Sequence, residues 1–128
     1  MKWESVFPKE AWKYGTARRR LQKARVPTGW LVIYREFTGS AGWAMHDITH
    51  VPDPEGVWAS FEDMKALETI YSHGNPNFDQ RTSRLKTPGG WLVIDNYLLS
   101  REGRHSHVCM TYVPDERHEW NPQAENQT

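Results

Sequence analysis

The residues with the greatest capacity for chemistry are the six histidines and the single cysteine. His105, His107 and Cys109 alternate along one run, and alternate residues of a strand share a face, so together they could begin a metal site. His46 and His50 are spaced to share a face in the same way. The internal repeat described below places His107 and Cys109 on the face opposite to that pair. We therefore expect no shared metal site and no cofactor.

Two carboxylates form a second candidate group, because Asp53 and Asp115 each follow a proline in a Val-Pro-Asp sequence. Paired carboxylates can act as general acid and base. An aspartate after a strand-ending proline also forms turns by bonding nearby backbone amides, and that role is sufficient here. The sequence contains no nucleophile elbow, phosphate-binding loop or dinucleotide-binding glycine pattern. We therefore predict that the protein is not an enzyme and has no catalytic residues.

The third candidate is the basic segment ARRRLQKAR at residues 17–25. Residues 1–36 carry nine basic and three acidic side chains, a net of +6, whereas the remainder carries seven and thirteen, a net of −6. The cations could contact phosphates, and neighbouring aromatic rings could stack on bases. The predicted ligand-binding residues are Trp12, Arg18, Arg19, Arg20, Lys23, Arg25 and Trp30. The alternative is that this segment pairs with the acidic part of the same chain.

The strongest pattern in the chain is an internal repeat of residues 25–58 at 86–120. Its first block reads RVPTGWLVIY and then KTPGGWLVID, at an offset of 61 residues. Its second block reads ITHVPDPEGVW and then MTYVPDERHEW, at an offset of 62. Two blocks in the same order indicate one structural unit written twice.

Each copy has the pattern of a β-hairpin closed by a tryptophan. The Pro-x-Gly turn launches the strand Trp-Leu-Val-Ile, and a polar tip containing glycine follows. The return strand ends at Pro52 or Pro114, because proline removes a ladder donor. We expect Trp58 and Trp120 to pack back over their hairpins. We also expect the first strands to be covered on both faces, and a core of Leu31, Ile33, Ile48, Leu92, Ile94 and Met110.

Helical patterns occupy two other segments. Apolar residues recur at helical spacing over residues 60–73, and residues 8–23 form a weaker candidate interrupted by Gly15. The predicted fold class is therefore α+β, with the two hairpins forming a four-stranded sheet or a small open barrel with pseudo-twofold symmetry. One helix connects the hairpins and another precedes them. We expect a single domain over residues 1–120 and a flexible tail over 121–128.

Composition narrows the function without naming it. The neutral overall charge, the single cysteine and the short apolar runs favour a cytoplasmic protein that does not contact membrane. Seven tryptophans suit either a small core or a binding surface. We expect an accessory binding module, of a kind found in bacteria and phages, that acts through exposed tryptophans on a protein partner or on itself as a homodimer or larger oligomer. The alternative is binding of nucleic acid or an anionic, nucleotide-like ligand by the basic segment.

Overall fold

The computed structural model describes residues 1–8, 11–14, 17–37, 43–98 and 106–125. The chain divides into two compact units, Met1–Ala66 and Leu67–Thr128. In the described residues, the regular secondary structure of each unit is almost entirely antiparallel β-strand. Whether the chain behaves as one domain stays a prediction.

The first unit is a five-stranded sheet. Its strands are β1 (Trp3–Ser5), β2 (Lys13–Tyr14), β3 (Ala17–Val26), β4 (Gly29–Phe37) and β5 (Trp43–Pro52). The sheet runs in the order β1-β3-β4-β5, and β2 pairs with the beginning of β3. Two short strands therefore share the outer side of β3. A 3-10 turn, Met64–Ala66, lies near the end of the unit.

The second unit is a four-stranded sheet in the order β6-β7-β8-β9. Its strands are β6 (Glu68–Asn75), β7 (Phe78–Thr87), β8 (Gly90–Leu98) and β9 (Ser106–Pro114). A four-residue helix, α1 (Pro122–Glu125), follows, so part of the predicted tail is helical and residues 126–128 lie outside the described residues.

The prediction of one β-hairpin in each copy of the repeat is confirmed. β4 pairs with β5 and β8 pairs with β9, with Trp30 opposite Val51 and Trp91 opposite Val113. The structural correspondence also extends one strand upstream of the sequence repeat. β3 precedes the first hairpin, β7 precedes the second, and each is joined to it by the turn that contains the repeated proline.

The α+β fold class is wrong, and the connecting helix predicted over residues 60–73 is the larger error. Only the 3-10 turn is helical there, and β6 begins at Glu68. Asn75 turns the chain back, because its side-chain oxygen accepts hydrogen bonds from the amides of Asn77 at 2.7 Å and Phe78 at 3.1 Å. β6 then pairs along β7, and this ladder satisfies the backbone groups that a helix would have satisfied internally.

The N-terminal helix predicted over residues 8–23 is also wrong, because this segment contains β2 and most of β3. The basic run has no apolar stripe at helical spacing, but its alternate residues Leu21 and Lys23 lie opposite Tyr34 and Val32 of β4. Pairing with a strongly β-forming neighbour overrides the weak local preference of the segment.

The prediction that both hairpins form one four-stranded sheet or barrel is also wrong. Each hairpin lies in its own sheet, where β1 with β3, or β6 with β7, completes it. A two-stranded hairpin is marginal alone, and these additional strands supply the neighbours that each hairpin needs.

The prediction that both faces of the first strands are covered is confirmed for β4. Trp30 and Val32 on one face are buried, and so is Ile33 on the other. The predicted core residues Leu92, Ile94 and Met110 are buried as well. Leu31 is only half-buried. The prediction that Ile48 belongs to the core is wrong, because Ile48 is 44% exposed.

Candidate functional site

The most distinctive group of side chains is a cluster that occurs once in each unit. In the first unit the indole Nε1 of Trp30 donates to Asp53 Oδ2 at 2.8 Å, and the backbone amide of Trp58 donates to the same oxygen at 2.9 Å. In the second unit Trp91 and the amide of Trp120 make the same two bonds to Asp115 Oδ2, both at 2.8 Å. The cluster thus joins the start of β4 or β8 to the turn after the return strand.

These hydrogen bonds set the ionisation of both aspartates. Burial alone would raise the pKa of Asp53, but the bonds from Trp30 and from the backbone of Trp58 outweigh it, so the pKa is lowered. The pKa of Asp115 is lowered chiefly by the bond from the Trp120 amide, with that from the Trp91 indole next. Both carboxylates are therefore ionised acceptors engaged in turns. The predicted bonds from nearby backbone amides to both aspartates are present.

A cation lies between the two tryptophans of each cluster. Lys23 Nζ is 4.1 Å from the centre of the Trp30 ring and 4.8 Å from that of Trp58, and it donates to the Trp58 carbonyl. The Lys23 side chain is 1% exposed. Loss of hydration lowers the pKa of Lys23, and the nearby Glu4 carboxylate, at 3.4 Å, partly opposes this.

Arg84 holds the equivalent position in the second unit. Its Cζ is 3.8 Å from the centre of the Trp91 ring and 5.2 Å from that of Trp120, and Nη1 donates to the Trp120 carbonyl at 2.7 Å. Its Nε donates to Glu68 at 2.7 Å. Glu4 lies opposite Lys23 across β1 and β3, as Glu68 lies opposite Arg84 across β6 and β7. The complete cluster is therefore two tryptophans, an aspartate, a cation and a glutamate.

Two glycines explain why the turn sequences recur. A Cβ atom at Gly29 would lie 2.1 Å from the Val51 carbonyl oxygen, and one at Gly90 would lie 2.2 Å from that of Val113. No side chain fits at either place, because the end of the return strand and the aspartate that follows it lie against the glycine. The repeated Pro-x-Gly-Trp and Val-Pro-Asp blocks are thus the two halves of one contact.

The structure divides the predicted ligand-binding residues between two faces of a sheet. Arg19, Lys23 and Trp30 are buried on the face that holds the cluster. Arg25 donates to the carbonyl oxygens of Gly29, Asp53 and Pro54. Trp12 packs edge-on to Tyr34 with ring centres 5.4 Å apart, and the Arg19 guanidinium lies 5.7 Å from its centre.

Arg18 and Arg20 lie on the opposite face of β3, because alternate residues of a strand point to opposite sides. Arg20 is directly opposite Arg35 of β4. The Arg18 guanidinium lies 5.4 Å from the centre of the Phe37 ring, and that of Arg35 lies 5.8 Å from the centre of Trp3. Sequence reasoning missed Arg35, since only the register of the two strands shows that it joins these arginines.

Metal-ligating residues do not converge in the part of the chain that the structure describes. His107 and Cys109 are exposed on β9, whereas His105 and the side chain of His46 lie outside the described residues. His50 Nε2 is 2.9 Å from the hydroxyl of Thr28.

The tryptophans described in full are either buried or half-buried. Trp30, Trp58 and Trp91 are buried, while Trp3, Trp12 and Trp120 are half-buried. Trp30, Trp58, Trp91 and Trp120 belong to the two clusters. Binding through tryptophans stays a prediction, and the sheets offer a second kind of binding surface.

Among the described residues, the edges of the two sheets that pair with no further strand are such a surface. β1 and β5 end the first sheet, and β6 and β9 end the second. β1 has three residues, the register of β5 shifts between Tyr34 and Arg35 of its partner, and that of β6 shifts around Ile70. β5 also carries Asp47 and β6 carries Glu68. Short length, bulges and charges are devices that discourage an edge from pairing with another chain.

β9 has none of these devices. Its nine residues, SHVCMTYVP, include no Asp, Glu, Lys or Arg, and they pair with β8 without a register shift. Its one proline is the last residue. His107, Cys109 and Thr111 are exposed on one face, and Val108 and Met110 are buried on the other. The sequence shows that this strand is uncharged, but only the strand order shows that it is an edge.

No protein-family model, curated protein or solved structure matches this chain. Among the described residues, no helix has the length and apolar character needed to cross a membrane.

Proposed function

We propose that this protein is a protein-binding module whose binding element is the outer edge of β9. The observation that carries the proposal is a full-length edge strand that is uncharged, regular and free of internal proline. Such an edge presents a row of backbone donors and acceptors that another strand can pair with. The exposed side chains of His107, Cys109 and Thr111 would contact the added strand and contribute specificity.

The repeat supplies a matched pair of variants for the test. Thr111→Lys places a charge on β9, and Thr49→Lys places the same charge at the equivalent position of β5. We expect the wild-type chain, immobilised and exposed to a lysate of its source cells or to itself, to retain a specific protein. Thr49→Lys should retain it too, whereas Thr111→Lys should lose it, because a lysine on an edge strand opposes pairing. Equal retention by both variants would rule out the β9 edge.

A second function, binding of an anionic ligand such as single-stranded nucleic acid, is favoured by the opposed Arg20 and Arg35. Because Arg20 lies directly opposite Arg35, a phosphate beside this pair could accept hydrogen bonds from two guanidinium groups at once. In addition, the buried Nε of Arg35 has no hydrogen-bond partner among the described residues.

This second function is tested by titrating single-stranded DNA and RNA against the protein at several salt concentrations. If both arginines contact phosphates, the log–log salt slope should fall by about 0.7 for each arginine replaced by glutamate. Lys86→Glu, which changes an exposed cation of the second unit, is the control. Absence of binding at low salt, or binding that Arg20→Glu and Arg35→Glu leave unchanged, would exclude this site.

A further inference from the structure

The partner that best fits the β9 edge is a second copy of the same chain. We infer that two molecules pair their β9 strands antiparallel about a twofold axis, so that two four-stranded sheets become one eight-stranded sheet. This inference rests on the proposed function of the β9 edge and names its partner.

Self-pairing is favoured by the charge of the strand. In an isologous contact every residue meets its own surface, so any charge on the edge would be brought near an identical charge. β9 carries no Asp, Glu, Lys or Arg over its length, and it is therefore compatible with its own copy. The corresponding strand of the first unit, β5, carries Asp47 and would bring two carboxylates together.

The side-chain pattern is also compatible with a twofold axis. An axis through Met110, the middle residue of β9, would place Cys109 opposite Thr111 of the second copy. The small exposed side chains of these residues would lie beside the axis on one face. On the other face, Val108 and Met110 would extend the apolar layer that each sheet already buries. Backbone pairing and this layer would form together, with no rearrangement of β8 and β9.

The apolar faces of β4 give no reason for self-association, because Trp30, Val32 and Ile33 are already buried in the single chain. The β9 edge gives such a reason, and it specifies where the two copies meet.

Cys109 provides a direct probe, because it is exposed and is the only cysteine in the chain. Residues diagonal to each other across an antiparallel pair have Cα atoms about 7–8 Å apart. A short bismaleimide should therefore join the Cys109 thiols of two copies. A control chain with Cys109→Ser and Ser72→Cys carries its single thiol on β6, the other edge of the same sheet, and should not be joined.

The experiment combines this crosslink with sedimentation of the full-length chain over a range of concentrations. We expect a dimer that crosslinks through Cys109, that Thr111→Lys weakens at least tenfold and that Thr49→Lys leaves unchanged. Circular dichroism should show that both lysine variants keep their strands.

Two results would overturn the inference. A dimer that persists in Thr111→Lys and does not crosslink through Cys109 would place self-association elsewhere. A chain that stays monomeric at all concentrations would exclude the second copy as the partner. If Thr111→Lys nevertheless abolished capture of a different protein, the proposed function of the edge would stand while this inference failed.

Discussion

Lys23 and Arg84 occupy the same place in the two units, each between two tryptophans and each bonded to the carbonyl of the second tryptophan. A glutamate on the adjacent strand accompanies both cations. Lysine and arginine differ in shape and in the number of donors. Because one unit has lysine and the other arginine at this position, the property that they share is the one that the position needs. That property is a positive charge with a donor for the carbonyl, held against the face of an indole.

The cluster should tolerate exchange of its cation but not removal of the charge. We expect Arg84→Lys to lower the free energy of unfolding by about 1 kcal/mol or less, since Lys23 does the same work in the first unit. Arg84→Met should cost about 1–3 kcal/mol, because the Trp120 carbonyl loses its donor and Glu68 loses its partner. Urea unfolding measures both, with Lys86→Met as the exposed control on the same strand. Equal losses in the two Arg84 variants would show that the guanidinium fork is required.

The aspartate of the cluster should be among the most sensitive positions of the first unit. Asp53→Ala leaves the buried Trp30 indole and the Trp58 amide without their acceptor. We expect the free energy of unfolding to decrease by about 1–3 kcal/mol for each buried donor. The exposed neighbour Glu55 is the control, and Glu55→Ala should change stability by less than about 0.5 kcal/mol. Chemical unfolding followed by tryptophan fluorescence makes the comparison. Similar stability of the two variants would show that the hydrogen bonds to Asp53 contribute little.

The free energy of unfolding should decrease in acid, because Asp53 and Asp115 become protonated there. The pKa values of Asp53 and Asp115 are lowered in the folded state. Their contribution is therefore fully present above the unfolded-state pKa of about 3.9 and is lost as the pH falls through the lower folded-state values. We expect the double variant Asp53→Asn/Asp115→Asn to be less stable at neutral pH and to lose less stability between about pH 5 and pH 2. Parallel stability curves for the variant and the wild type would contradict this linkage.

Alanine substitutions should separate Leu92 from Ile48, two apolar residues that the sequence pattern assigned to the core. Leu92 is fully buried, so Leu92→Ala should cost about 2–5 kcal/mol. Ile48, at 44% exposure, should lose less than about 1 kcal/mol on change to alanine. Thermal and chemical unfolding of the two variants give the comparison. A large loss at Ile48 would mean that this side chain is covered in solution, for example by a partner.

The sequence by itself determined the repeated parts of the fold. The turn at Pro27 or Pro88, the hairpin that follows and the strand-ending prolines could all be predicted, because each depends on residues close together in the chain. The turn role of Asp53 and Asp115 was predictable for the same reason.

Only the tertiary structure decided the remainder, because it depends on which strands become neighbours. Residues 60–73 have helical spacing, yet the turn at Asn75 brings the next strand, β7, beside their last part, and pairing with β7 makes that part a strand. Glu4 and Lys23 are joined through the pairing of β1 with β3, and no local pattern relates them. The open edge of β9 is likewise a property of strand order. Local residues decide turns and hairpins, whereas the order in which strands pair decides which cations are buried and which strand forms an edge of its sheet.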